Sequence, residues 1–405
     1  MFQQNVERIK KCLLLLLLSI PVLVIRLLRP FVKIHFVAIG SHRMGHFIFD
    51  VECLLAEKEL HPEQYKGINL YYYNKVVCNS QWDLMTRRKL RIYSISRHLA
   101  WANSKIPFGD FLEKPSISVK YATADPHRYM DKTKPHLSFT EEENRRGRAF
   151  LQSLGMKEGD KFVCFNIRDE AYMNTHYGTS SSFNQFTANH HWFRNSDISL
   201  YYKAMQALAE KGYWVFRMGK VTEKEVGVSG GKIVDYPKSG FRSDFLDMWL
   251  GGNCHFMVTT GSGIDTLCHA FRIPEVCVSL IPVTIVAYMY TNSISIFKYL
   301  KYIGGKRLTL DEMTRSGIWE LGSSQSFLDQ GLEWEDNTSE DIYEAVFEMV
   351  SRLDGGWKES EEDKILQKKF WQFVLRSPSY SRFYSAPAHR IGANYLRKNK
   401  ELFGA

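Results

Sequence analysis

The sequence predicts an α/β protein with two doubly wound halves that face a cleft, preceded by a hydrophobic N-terminal helix. Three observations support this fold class: strand-like and helix-like runs alternate after residue 160, a strand, glycine loop and helix follow one another from Val32, and leucines dominate residues 13–18. Such alternation is typical of a parallel sheet covered on both faces. Ligands of these sheets bind at the carboxyl ends of the strands, so we expect the functional residues in strand-to-helix loops.

The N-terminal segment contains 14 uncharged, mostly apolar residues, Cys12–Ile25, interrupted by Pro21. Basic residues flank it on both sides: Arg8, Lys10, Lys11, Arg26, Arg29 and Lys33. A spanning helix needs about 20 apolar residues, whereas basic flanks suit an anchor held by anionic lipid. We therefore interpret residues 1–30 as a hydrophobic, membrane-associated anchor. A true membrane span and a signal peptide remain alternatives, although no small-residue cleavage site follows.

The first domain is predicted over residues 31–156. Val32–Ile39 is typical of a buried strand, Gly40–His46 of a glycine loop, and Ile68–Tyr73 of a second strand. Thr140 begins a helix with Glu143 at the spacing of a capping box. Glycines at 155 and 159 end this helix and mark the predicted domain boundary.

The second domain is predicted over residues 157–355. Its strands are Phe162–Ile167, Tyr213–Met218, Ile233–Tyr236, His255–Thr259 and Val276–Leu280, and its helices Ser199–Lys211, Phe245–Leu250, Ile264–Phe271 and Asp341–Leu353. A tail over residues 356–405 contains a helix, Glu359–Leu375, followed by the aromatic residues Tyr380, Phe383, Tyr384 and Tyr395. We expect this helical tail to pack back on the first domain.

Composition restricts the partners. The chain has 405 residues, 44% hydrophobic and 24% charged, and a net charge of +9. This modest basic excess favours phosphate-bearing ligands or anionic lipid and does not indicate nucleic acid. Seven cysteines without a C-x-x-C pair indicate reduced thiols and a cytosolic compartment.

The most specific motif is Thr259-Thr260-Gly261-Ser262-Gly263, between a strand and a helix. Glycines there let backbone N–H groups approach an anion, and Thr260 and Ser262 add hydroxyl donors, so the loop fits a diphosphate. The alternative interpretation is an ordinary helix N-cap, because Ser, Thr and Gly are common there.

A charged cluster, Arg168-Asp169-Glu170, follows the strand that ends near Asn166. Arg168 could bind a phosphate and Asp169 could serve as a base, although an ion pair that caps the sheet explains the cluster equally well. The aperiodic stretch after it is predicted to contact substrate through Tyr172, His176, Tyr177, His190, His191, Trp192 and Arg194.

Metal and dinucleotide sites are not predicted. The adjacent histidines 190 and 191 have no Asp, Glu or Cys partner at ligand spacing, and the chain has no Asp-x-Asp pair for Mg²⁺ or Mn²⁺. Gly40 and Gly45 do not match the spacing G-x-G-x-x-G. We expect no metal and no bound cofactor.

The loop Gly40–His46 instead offers a general base. A neutral histidine accepts a proton near pH 7, so His46 is the candidate, with Asp50 one helical turn later to orient the ring or act as the base itself. An ordinary helix-start histidine bonded to solvent is the alternative.

Several segments together resemble a bacterial family of surface-polysaccharide glycosyltransferases. They are Arg43-Met44-Gly45-His46, the strand ending Asn166-Ile167-Arg168-Asp169, residues 194–201, Gly212–Gly219, Ser243–Asp247 and Thr260–Gly263. The last of these, with the strand near Pro274, is also similar to the donor-phosphate region of GT-B glycosyltransferases such as the heptosyltransferases. Asn166 departs from the pattern, in which histidine is usual.

The resemblance implies two Rossmann-like domains and transfer of a sugar from a nucleotide-sugar to a hydroxyl of a lipid-linked or growing glycan. The donor would be held by Arg168, Arg194, Arg217, Thr260, Gly261, Ser262 and Gly263. The enzyme would work at the cytoplasmic face of the inner membrane. A polysaccharide pyruvyl transferase using phosphoenolpyruvate and a non-catalytic membrane-bound scaffold remain alternatives, and a nicotinamide oxidoreductase is disfavoured by the missing fingerprint.

Overall fold

The protein folds as two compact units, residues 1–138 and residues 139–405, in a computed structural model. The structure describes residues 2–120, 125, 127–171, 174–175, 192–228, 230–281, 283, 292–318, 321–376 and 389–403. The predicted boundary near residue 156 lies too late in the chain. The helix Glu141–Ser153, with the predicted capping box at Thr140, belongs to the second unit, because the ring of Trp249 packs at Gly147 and its Nε1 donates to Asn144 at 3.1 Å.

The first unit is built on a parallel three-stranded sheet. The strands are β1 (Ile34–Ile39), β2 (Ile68–Tyr73) and β3 (Glu113–Lys114), in the order β2-β1-β3. The helices are α1 (Phe2–Leu28), α2 (Met44–Leu60), α3 (Ser80–Lys89), α4 (Ser94–Asn103), α5 (Ile117–Lys120) and α6 (Tyr129–Lys132). The strand and helix predicted on either side of the glycine loop are confirmed, whereas α3 and α4 lie where the periodicity was too weak to predict them.

Helix α1 is part of the first unit and not a separate anchor. Leu18 and Val22 are buried against Ala102 of α4, and the guanidinium of Arg26 bonds to the end of that helix. By length and composition, Val6–Leu28 could also cross a membrane. The predicted hydrophobic N-terminal helix therefore exists, but one side of its second half, with Leu18 and Val22, packs on the first unit.

The second unit is built on a parallel seven-stranded sheet. Its strands are β4 (Phe162–Asn166), β5 (Trp214–Arg217), β6 (Ile233–Asp235), β7 (Phe256–Thr259), β8 (Glu275–Leu280), β9 (Ser293–Phe297) and β12 (Arg390–Ile391), with an antiparallel pair β10 (Tyr299–Tyr302) and β11 (Leu332–Glu335) beside it. The order in the sheet is β12-β9-β8-β7-β4-β5-β6. All five predicted strands are confirmed. The chain builds β4, β5 and β6 on one side and then returns to place β7 on the other side of β4, so the sheet has a switch point between β4 and β7.

Helices cover this sheet. They are α7 (Glu141–Ser153), α8 (Tyr202–Glu210), α9 (Asp244–Asn253), α10 (Thr266–Phe271), α11 (Leu310–Ser316), α12 (Ser324–Asp329), α13 (Ser339–Leu353), α14 (Glu361–Val374) and α15 (Ala393–Lys398). The core between helices and sheet is apolar, as the continuous hydrophobic runs of β4 and β7 predict.

The C-terminal tail differs from the prediction. Its strand β12 pairs in parallel with β9, and α15 packs on α13 and α14, so its described part completes the sheet of the second unit. Tyr395 is buried against Phe297 and Tyr299. Tyr380, Phe383 and Tyr384 lie outside the described residues.

Candidate functional site

The candidate site lies at the switch point of the second unit. Asn166 ends β4 and Thr259 ends β7, and the two residues are direct partners in the parallel ladder. The side-chain amide of Asn166 donates to the hydroxyl of Ser262 at 2.6 Å. Asn166, where the sequence has no histidine, thus connects the end of β4 to the loop that follows β7.

The loop Thr260–Gly263 has a conformation that needs glycine. Gly261 has φ +76°, which L side chains rarely adopt, and its N–H donates to Thr259 Oγ1 at 3.2 Å. The Arg168 N–H donates to Thr260 Oγ1 at 3.0 Å. Ser262 precedes a 3-10 turn, Gly263–Asp265, yet its side chain forms no capping hydrogen bond. This geometry does not match the alternative N-cap interpretation.

The helix after this loop is short. Only Thr266–Phe271 are α-helical, so the helix dipole contributes little to anion binding at the loop. Positive charge near the loop has to come from side chains.

Two arginines provide that charge. The guanidinium of Arg194 donates to the carbonyl of Gly261, and Arg168 Nε donates to Asn195 Oδ1 at 3.0 Å. Burial, together with the nearby charge of Arg194, lowers the pKa of Arg168 to about 10. Burial also lowers the pKa of Arg194. An anion placed beside two such cations would be stabilised, because it would offset their desolvation and repulsion.

Arg217 and Asp169 form an ion pair. Arg217 is 1% exposed and forms ion pairs with Asp169 at 3.3 Å and Asp235 at 3.4 Å. Asp169 also accepts from the N–H groups of Ala171 and Glu223. These contacts favour the ion-pair interpretation of the charged cluster. Arg217, the last residue of β5, is therefore a poor candidate for a donor ligand in this conformation.

A cavity of about 470 Å³ in the same unit is lined by Ile167 and Asn195, which neighbour Arg168 and Arg194 in the sequence. Its lining includes Trp192 and Trp334, whose ring centroids are 6.0 Å apart, and the buried Lys298. Lys298 pairs with Asp336 and donates to the Asn195 carbonyl at 2.6 Å. Burial lowers the pKa of Lys298 while Asp336 opposes that change. This lysine was not predicted from the sequence, although it directly follows a strand, β9, which would have been the signal.

The acidic residue Asp265 contacts the residue that precedes the loop. Asp265 accepts from Thr259 Oγ1 at 3.4 Å. Burial and the charge of Glu275 raise the pKa of Asp265 to about 7, against the opposite effects of His269 and Arg194. His269 Nε2 lies 3.1 Å from Glu275 Oε1. Asp265 therefore changes charge near neutral pH next to one of the two arginines.

The loop Gly40–His46 of the first unit places His46 in the first turn of α2, half-buried. Burial and the charges of Arg43 and His42 lower the pKa of His46 to about 4. The ring is thus neutral at pH 7, as a base must be, but it is a weaker base than an ordinary histidine. Asp50 is buried and accepts from the Gly40 N–H at 2.5 Å, which ties α2 to the end of β1.

The predicted substrate residues Tyr172, His176, Tyr177, His190 and His191 lie outside the described residues. Within the described part of the chain, no group of three His, Cys, Asp or Glu side chains could hold a metal ion.

Comparison with known proteins identifies glycosyltransferases of the GT-B class as solved structures to which this chain is similar. A glycosyl transferase family 9 structure from Veillonella parvula DSM 2008 is 12% identical with a TM-score of 0.49, and the match covers 80% of this chain and 98% of the other. The E. coli ADP-heptose lps heptosyltransferase II is 10% identical with a TM-score of 0.32, covering 65% and 90%. The E. coli heptosyltransferase WaaC with ADP is 9% identical with a TM-score of 0.30, covering 65% and 91%.

No protein-family model and no curated protein sequence matches the chain. At the identities and TM-scores of these neighbours, the function has to be sought in the residues of the site itself.

Proposed function

We propose that this protein is a glycosyltransferase that moves a sugar from a nucleotide-sugar donor to a hydroxyl of a lipid-linked or growing surface polysaccharide. The observation that carries the proposal is the pair Arg168 and Arg194 beside the loop Thr260–Gly263 at the sheet's switch point. Ligands of doubly wound sheets bind at such a point.

The donor diphosphate would bind between the loop and the two guanidinium groups. Thr260 and Ser262 add hydroxyls, and the glycine backbone allows close approach. Positive charge aimed at the diphosphate stabilises it as it leaves, so the reaction would need neither a divalent metal nor a bound cofactor. The cavity with Trp192 and Trp334 is also lined by Ile167 and Asn195, the sequence neighbours of the two arginines, and its volume suits the rest of a donor.

The base that deprotonates the acceptor hydroxyl is proposed to be His46. Burial and the charges of Arg43 and His42 keep its ring neutral at pH 7, so the ring can accept a proton. Asp169 is the competing base, but its carboxylate already accepts hydrogen bonds from Arg217, Ala171 and Glu223. Asp50 is proposed to hold the loop that carries His46.

The N-terminal helix supports the proposed acceptor and location. Its exposed leucines are proposed to hold the enzyme at the cytoplasmic face of the inner membrane, where lipid-linked glycans are available.

Thermal shift with a panel of ligands tests the function. We expect nucleotide-sugars and nucleoside diphosphates to stabilise the protein, and the shift to disappear in Arg194→Gln. The matched control is Arg145→Gln, an exposed arginine paired with Glu142 on α7, which should retain the shift. Stabilisation by phosphoenolpyruvate alone would indicate pyruvyl transfer, stabilisation by NAD alone an oxidoreductase, and no response to any ligand a non-catalytic scaffold. Each of these three results would contradict the proposal.

A further inference from the structure

The contacts of α1 with α4 limit how this helix can meet a membrane. Leu15, Leu18, Val22 and Ile25 all pack on the first unit, in the two apolar clusters that include α4. The contact therefore begins at Leu15 and continues almost to the end of α1. The sequence alone, a run of leucines with basic flanks, contains no sign of this contact.

Hydrogen bonds from Arg26 connect the end of α1 to the loop after α4. Its guanidinium donates to the carbonyls of Asn103, Ile106 and Pro107 and to the side chain of Asn103, at 2.6 to 3.1 Å. Asn103 in turn donates to the Gly109 carbonyl at 2.9 Å. This network wraps the loop after α4 around the arginine so closely that a Cβ at Gly109 would clash with the guanidinium.

This docking is incompatible with a membrane span. Arg8, Lys10 and Lys11 precede the apolar run of α1, so an apolar span would have to include the docked residues from Leu15 to Ile25. A hydrocarbon core is about 30 Å thick. To cross it, α1 would have to carry α4 with the exposed Arg97 and His98 into the lipid, where charged groups are strongly disfavoured.

The other side of α1 is apolar and exposed. Leu13, Leu16, Ile20 and Leu27 recur at helical spacing opposite the docked side. Just beyond the helix, Phe31 is 85% exposed.

The loop after α4 extends this surface. Phe108 is 90% exposed and has φ +61°, an unfavourable backbone conformation for a residue whose ring is left in solvent. The ring of Phe111 lies 4.0 Å from the Arg29 guanidinium. α1 precedes β1 and this loop precedes β3, and the two strands are parallel. Both segments therefore lie where the strands begin, which we call the amino edge of the sheet. The Gly40–His46 loop lies at the opposite side, where the strands end, which we call the carboxyl edge.

Charge at this edge is mainly positive. Arg29, Lys33, Lys66 and Lys105 are exposed there, alongside the acidic Asp110 and Glu63, and Glu63 is paired with His61. Exposed aromatic rings among basic residues fit the headgroup region of an anionic bilayer.

We infer that α1 lies in the membrane interface without crossing it, and that Phe31 and Phe108 extend its lipid-contacting face onto the first unit. The partner is an anionic lipid surface. The glycine loop with His46 then lies at the edge of its sheet that is turned away from the lipid.

Depth-dependent quenching of the full-length protein tests the surface. A fluorophore is attached to Phe108→Cys in a Cys12→Ser, Cys78→Ser background, which is used for every cysteine variant here because these are the two cysteines that are not buried. The protein binds vesicles of phosphatidylcholine with a minority of phosphatidylglycerol. The matched control is Val76→Cys, 77% exposed and at the carboxyl edge after β2. We expect shallow lipid-attached quenchers to act several times more strongly on the label at 108, and aqueous iodide more strongly on the label at 76. Phe31→Cys provides a second label on the same surface.

A membrane-impermeant maleimide tests the topology in sealed vesicles. Glu7→Cys and Ser104→Cys should both react from outside without lysis. A Glu7→Cys that reacts only after lysis would show that the helix crosses the bilayer. Equal iodide quenching at 108 and 76, or cross-linking of two copies through 108 in place of lipid quenching, would also overturn the inference.

Discussion

The side-chain amide of Asn166 donates a hydrogen bond of 2.6 Å to the hydroxyl of Ser262, joining the end of β4 to the loop after β7. This bond holds the candidate diphosphate loop against the end of β4, two residues before Arg168. Replacing Asn166 by Ala removes the donor, and a hydrogen bond of this kind contributes about 0.5 to 1.5 kcal/mol. We expect nucleoside-diphosphate affinity, measured by titration calorimetry, to fall about two- to tenfold. Asn253→Ala is the control, since its amide bonds to the Trp249 carbonyl within α9; equal affinities in the two variants would contradict the role of Asn166.

Gly261 permits the loop conformation, and its replacement is the sharpest test of the loop. Val cannot adopt φ +76° without strain, so Gly261→Val should abolish nucleotide binding while circular dichroism still reports a folded protein. Gly304→Val is a matched control, because Gly304 has φ +68° in an open turn outside the site. Both variants should lose stability. If Gly261→Val binds nucleotide with unchanged affinity, the diphosphate lies elsewhere.

Catalysis is predicted to need no divalent metal, because Arg168 and Arg194 supply positive charge beside the loop. Activity should survive excess EDTA. Activity that disappears with EDTA and returns with Mn²⁺ would show that a metal supplies this charge.

General-base catalysis is proposed for His46, and base catalysis contributes about 10² to 10⁴ in rate. His46→Ala should lower kcat by this factor with little change in donor affinity, whereas the exposed His98→Ala should not. Because burial and neighbouring charges lower the pKa of His46 to about 4, kcat/KM should fall on the acid side near that pH and not near 6.5. Near-full activity of His46→Ala, with Asp169→Asn inactive yet able to bind donor, would move the base to the second unit.

Asp265 makes stability depend on pH. Its pKa is raised from 3.8 to about 7 in the folded protein, so the folded state binds a proton that the unfolded state has already released. This group therefore makes the wild type less stable as pH rises from about 4 to 7. Asn does not titrate. The free energy of unfolding of Asp265→Asn relative to wild type should therefore rise by about 1 to 3 kcal/mol between pH 4 and pH 8. This is less than the full pKa shift corresponds to, because the side chain is partly exposed. Urea unfolding at several pH values measures this, with the exposed Asp354→Asn as control; a pH-independent difference for Asp265→Asn would contradict the shift.

The sequence alone predicted many of the local elements and the loop at which the candidate site is proposed. Runs such as Phe162–Asn166 and Phe256–Thr259 are apolar along their whole length because strands of a covered parallel sheet are buried on both faces. The glycine loop between β7 and α10 is a candidate ligand loop from the sequence, because it follows such a run and precedes a helical one. Thr140 with Glu143 likewise specified a helix start through contacts only three residues apart.

Tertiary structure decided everything that depends on long-range contacts. Arg217 resembles a phosphate ligand in the sequence, but the packing of β5 buries it between Asp169 and Asp235. The two residues of β12 join β9 from almost a hundred positions away, which places the tail in the second unit. Leu18 and Val22 match their exposed neighbours in composition, and only the approach of α4 buries them. The hydrophobic pattern specifies that a side chain can be buried, but which surface buries it depends on the path of the whole chain.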